Sequence, residues 1–176
     1  MEPLTFDENK KVILPQPDEI PDNIRETAAG AYIMMFAAQY LPLPLINLIA
    51  ALIYYLVCRK RERFVAFHAY QSFISQIPTS LALWGGLAWL IVELARRPAE
   101  YWDSFFSTSV LVVLSVILLW NLIYTILSLI AYRRARTGRF YYLPLFGKHS
   151  FNRYYGPNAV HYDNHEKIRP VNRPPA

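Results

Sequence analysis

Charge is missing from three long stretches of this 176-residue chain. Residues 27–58, 68–92 and 104–132 contain no Asp, Glu, Lys or Arg. A helix on the surface of a soluble protein keeps a charged face, so runs of this length point to lipid surroundings. Cysteine is nearly absent too. Cys58 stands alone, which excludes an intrachain disulfide and a cysteine-based metal site. No phosphate loop, nucleophile–base pair or paired carboxylates occur, so an enzyme is not expected. The first residues are acidic and lack a basic n-region, so a secretory signal is not expected. There is no internal repeat.

What is present is a 54% hydrophobic chain whose apolar residues collect between Thr27 and Tyr132. That divides it into an acidic, Pro-rich N-terminal arm (1–26), a transmembrane helical domain (27–145) and a basic, aromatic and Pro-rich C-terminal tail (146–176). The arm holds three cations and seven anions, net −4. Residues 133–176 hold nine cations and two anions, net +7. A basic stretch directly after an apolar run suits anionic lipid headgroups better than nucleic acid. Four prolines keep the arm extended, and Asp22 is placed to cap the helix that follows.

The expected fold is an all-α integral membrane bundle of four transmembrane helices with extended tails. The run 27–58 is too long for one span and short for two. Leu41-Pro42-Leu43-Pro44 breaks it, because proline removes a ladder bond and pushes its predecessor out of the α region. One geometry is a hairpin of two short helices. The other has its first piece in the interface and one kinked helix crossing. The runs 68–92 and 104–132 are about 37 Å and 43 Å long as helices, enough to cross. Pro78 allows a kink, and Gly85-Gly86 allows close approach of another helix. The clusters Arg59–Arg63 and Arg133–Arg139 together carry eight Lys or Arg, against two in the connector Glu93–Asp103. The positive-inside rule therefore puts both clusters and both termini in the cytoplasm of a bacterial inner membrane.

The first cluster runs into an aromatic helix start in which Phe64, Phe67, His68 and Gln71 fall at i, i+3, i+4 and i+7. This Arg63-Phe64-x-x-Phe67-His68-x-x-Gln71 signature resembles the small multi-span membrane subunit of the chloroplast inner-envelope protein import machinery. It is similar also to that subunit's uncharacterised bacterial relatives. Ala135, Gly138, Tyr142, Pro144 and Leu145 resemble the end of the last span in those relatives, with Leu143 as a small departure. Gly138 is in addition a natural stop for the last helix. The resemblance covers residues 27–145 and implies four helices and a part in protein translocation.

The polar residues of the spans read as structural. His68 has no second ligand at its depth, so metal and haem are not expected. Gln71 and Gln76 suit a polar seam between helices, as does Asn121. Glu93 is within reach of Arg96 or Arg97. The tails are expected to make no core of their own. Phe151, Arg153, Tyr154 and Tyr155 are therefore assigned to partner binding. The leading expectation is a non-catalytic subunit of a larger membrane complex. It would bind no cofactor beyond lipid and contact other membrane subunits. The alternatives are a translocation or insertion component, and a small transporter or redox carrier.

Overall fold

The computed structural model describes residues 12–39, 45–96, 108–156, 160–161 and 171–175. The predicted break at Leu41–Pro44 and most of the connector Glu93–Asp103 lie outside them. Among these residues five α-helices follow one another: α1 (Asp22–Gln39), α2 (Ile46–Cys58), α3 (Arg63–Arg96), α4 (Thr108–Arg136) and α5 (Gly147–Tyr155). The fold is all-α, apart from a two-residue parallel ladder between β1 (Ile13–Leu14) and β2 (Val160–His161).

α3 is the axis of the bundle and packs against α1, α2, α4 and α5. Its burial is the reverse of a soluble helix. His68, Gln71, Ser72, Ser75, Gln76, Thr79 and Ser80 recur every three or four residues and are all buried, while Ile77, Leu81, Trp89 and Ile91 are exposed. On α4, Leu111, Val116, Leu118, Leu122, Ile126 and Leu129 are exposed as well. Only 11% of the most apolar window of either helix is buried inside the protein, which is not how the core helix of a soluble protein sits. Apolar surface of this extent is stable in hydrocarbon and not in water.

Among the described residues, α3 and α4 are the two helices long and apolar enough to cross a membrane. The expectation of four spans meets this physical limit: α2 has 13 residues and rises only about 20 Å. Pro78 does not interrupt α3. Gly86 faces Ile117 of α4, whereas Gly85 faces open space; one glycine of the pair, not both, serves helix contact.

α1 starts one position earlier than the expected cap allows. The Ile24 and Arg25 amides donate to the Pro21 carbonyl (3.0 and 3.1 Å), so Asp22 lies in the first turn and pairs with Arg25 (3.0 Å). α4 ends as expected at Gly138, whose φ is +70°. The Arg139 amide donates to the Arg134 carbonyl (2.9 Å) and the Gly138 amide to Ala135 (3.0 Å), which closes the helix end. A Cβ at Gly138 would also stand 3.0 Å from the backbone of Pro17.

The tails depart most from expectation. Val12, Leu14 and Ile20 of the arm share one continuous core with Phe140, Leu143, Phe151, Tyr154 and Tyr155, and with Phe64 and Phe67 of α3. Tails that could not build a core of their own find one on the aromatic start of α3. Gln16 and Asn172 fasten them together. The Asn172 amide group donates to the carbonyls of Pro15 (2.7 Å) and Gly138 (2.9 Å), and its oxygen accepts from the Phe140 amide (3.1 Å). Gln16 Oε1 accepts from the amides of Val171 and Asn172 (3.0 and 3.2 Å). Arm, tail, the end of α4 and the start of α3 thus form one head at a single end of the bundle.

Candidate functional site

The signature residues at the start of α3 converge on this head. Arg63 donates to the Tyr154 carbonyl (2.9 Å), holding the end of α5. Phe64 and Phe67 are buried and meet Phe140 edge-on at 5.1 and 5.2 Å between centroids. Gln71, fully buried, donates to the Tyr141 carbonyl and to the Tyr32 hydroxyl (both 2.9 Å), and its oxygen accepts from the Leu143 amide (3.4 Å). So Gln71 on α3 clasps the segment that carries Tyr142 and Pro144, and the two sequence motifs meet. Pro144 itself is exposed in the turn before α5.

His68 is completely buried. Its Nδ1 lies 3.0 Å from the Tyr32 hydroxyl. Nε2 has no hydrogen-bond partner among the described residues. The rings of Phe64, Phe67 and Phe140 surround the imidazole at 4.6, 4.8 and 6.2 Å. Among the described residues there is no group of three His, Cys, Asp or Glu side chains suited to a metal.

Farther along α3 the polar stripe continues as interhelical bonds. Ser72 donates to the Ala31 carbonyl on α1 (2.8 Å), and the Ser75 hydroxyl meets that of Tyr124 on α4 (2.8 Å). Asn47 on α2 donates to Gln76 (3.0 Å) and accepts from Ser80 (3.4 Å). Trp120 on α4 donates to Thr79 (3.4 Å). Asn121 bonds within its own helix, to the Ile117 carbonyl (2.9 Å). Sequence reasoning picked out Gln71 and Gln76 but missed Asn47, Tyr32 and the hydroxyls. For the α3 hydroxyls the signal was the recurrence of polar residues every three or four positions in an uncharged run; Tyr32 and Asn47 carry no such local signal.

Of the residues assigned to partner binding, three lie inside the chain and one on its surface. Phe151, Tyr154 and Tyr155 are buried in the chain's own core. Phe151 packs on Tyr142 (5.6 Å) and Tyr155 (5.3 Å). Arg153 remains exposed and lies 4.5 Å above the Tyr70 ring. Burial raises the pKa of the Tyr142 and Tyr154 phenols well above the ordinary value, and a hydrogen bond to Tyr55 adds to the effect at Tyr154. The arrangement is built to hold helices and tails together.

A family model described as the magnetosome magnetite crystal formation protein family, MamF/MmsF, matches residues 24–149. No curated protein and no solved structure matches the chain. The matched region contains all of 27–145, on which the likeness to the chloroplast import subunit rested, and it overturns that likeness. The physical reason is visible in the head. Arg63, Phe64, Phe67, His68, Gln71 and Gly138 all serve internal packing and bonding, which any small helical membrane protein with such a head would require. The transporter reading falls with the translocon on the same family match, and Gln71 and Gln76 are both engaged within the bundle.

Proposed function

The chain belongs to the magnetosome magnetite crystal formation protein family, and from that membership we propose that it is an integral protein of the magnetosome membrane. It acts in magnetite crystal formation as a structural component and not as a catalyst. The observation that carries this reading is the family match over most of the chain, and the outward-facing apolar surfaces of α3 and α4 support it.

The topology we propose has four membrane helices, of which α3 and α4 cross the bilayer and α2, about 20 Å long, reaches only part of the way. α1 leaves the head and α2 returns to it; α3 leaves and α4 returns. The N-terminal arm meets the C-terminal tail in the β1–β2 ladder, so both lie on the side of the Arg59–Arg63 and Arg133–Arg139 clusters. The positive-inside rule makes that side cytoplasmic and leaves the α3–α4 connector on the other. Its partners on this reading are other proteins of the same membrane and anionic lipids.

Deleting the gene in a magnetite-forming bacterium and restoring it on a plasmid tests the proposal. Electron microscopy should show an altered distribution of crystal size or shape, reversed by the plasmid copy. Crystals indistinguishable from wild type in the deletion strain would refute it.

A further inference from the structure

One polar cluster lies apart from the Gln16–Asn172 fastening of the tails. It lies where α2, α3 and α5 meet, and contains the phenols of Tyr55, Tyr70 and Tyr154, the imidazole of His149 and the guanidinium of Arg153. The tyrosines are more than nine-tenths buried, while His149 and Arg153 are exposed at the mouth. Arg153 stands 3.4 Å from the Tyr70 hydroxyl and 3.5 Å from that of Tyr55. Tyr154 and Tyr55 are 3.5 Å apart, and Tyr70 is 3.1 Å from His149 Nε2.

The cluster has more donors than acceptors. Arginine brings five N–H groups and no acceptor, and each phenol brings a proton. Tyr55 accepts from Arg153 and Tyr154, and no group among the described residues accepts its own proton. If Tyr55 donates to Tyr154 instead, the proton of Tyr154 is left over. Either tautomer of His149 leaves this surplus in place. The contacts of Arg153 are long, at the outer limit of hydrogen bonding. No carboxylate bonds to any of the five side chains among the described residues, and α5 carries Lys148, His149 and Arg153 without an acid. Such a site lacks an anion with several oxygens.

Its position says which anion. Arg59 follows Tyr55 by one turn. Toward the bilayer, α3 continues from Tyr70 through the half-buried Ile74 to the exposed Ile77 and Leu81, at i+4, i+7 and i+11, as an apolar ridge leading away from the donors. We propose that Arg153, with the Tyr55 and Tyr154 hydroxyls, binds the phosphate of an anionic phospholipid whose acyl chains lie along this ridge of α3. The absence of a carboxylate leaves nothing to receive the cationic headgroup of a zwitterionic lipid. The site rests on the reading of the chain as a membrane protein, and it gives the general affinity for anionic lipid one specific seat.

Native mass spectrometry of the full chain in detergent, titrated with phosphatidylglycerol, phosphatidylcholine or inorganic phosphate, tests it. Phosphatidylglycerol should bind in preference to phosphatidylcholine. Losing a charge-assisted hydrogen bond should weaken it about tenfold in Arg153→Gln. Tyr55→Phe should weaken it less, and Arg133→Gln with Arg136→Gln should leave it unchanged. Retention of wild-type affinity in Arg153→Gln, equal binding of the two lipids, or displacement of the lipid by excess inorganic phosphate would each overturn the site. If Arg153→Gln fails to fold by circular dichroism, wild-type affinity in Tyr55→Phe overturns it equally. Sedimentation with carbonate-washed membranes reads the membrane assignment separately: its loss would count against the bundle, and its retention with unselective lipid binding only against the seat.

Discussion

The Tyr32 hydroxyl lies 3.0 Å from Nδ1 of His68 and joins α1 to α3 at the point where Gln71 reaches the same oxygen. Three buried polar groups on two helices therefore share one hydrogen-bonded junction, and Gln71 extends it to the segment after α4. Removing the shared oxygen orphans His68 Nδ1 and leaves Gln71 with its backbone partners alone.

Tyr32→Phe is accordingly expected to destabilise the bundle by about 1–2 kcal/mol, between the average interhelical bond in a membrane and the cost of an orphaned buried polar group. Thermal unfolding in detergent measures this. The effect should be absent from Tyr132→Phe, whose hydroxyl bonds, among the described residues, only to Arg136 of its own helix.

Phe151 separates internal packing from partner binding. As a ring 1% exposed within the aromatic head, its replacement by alanine should cost about 3–5 kcal/mol. The purified single chain should show the loss with no partner present. An unchanged melting temperature would return Phe151 to the role of an interface residue.

Much of this was legible beforehand, in particular places. The cationic turn into α3, the helix stop at Gly138 and the lipid-facing runs are local signals, and each appears where the spacing put it. The head was not legible, because Gln16 and Asn172 lie 156 positions apart and nothing near either residue announces the other. Prolines near both ends suggested loose tails; the aromatic start of α3 supplies the surface that orders them. The family was misread because the signature residues answer to packing needs and distinguish poorly between small helical membrane proteins.

Alkaline pH should loosen the head. Tyr142 and Tyr154, outside the spans, have pKa values raised above 10.0 by burial in the folded chain. The unfolded chain ionises first, so their stabilising effect is complete below about pH 10 and is lost as pH climbs through the folded values. Melting temperature should hold from neutral pH to about 10 and fall above it, more shallowly in Tyr142→Phe. An equal fall in that variant would assign the effect to other groups.

The central structural claim is a bilayer-crossing bundle with its head on one side. Single cysteines at Lys60, Arg96 and Lys148, introduced with Cys58→Ala, test it when sealed vesicles are treated with an impermeant maleimide. Lys60→Cys and Lys148→Cys should label from the same side, and Arg96→Cys, at the far end of α3, only from the other. Labelling of all three from one side would place both ends of α3 together and contradict the account.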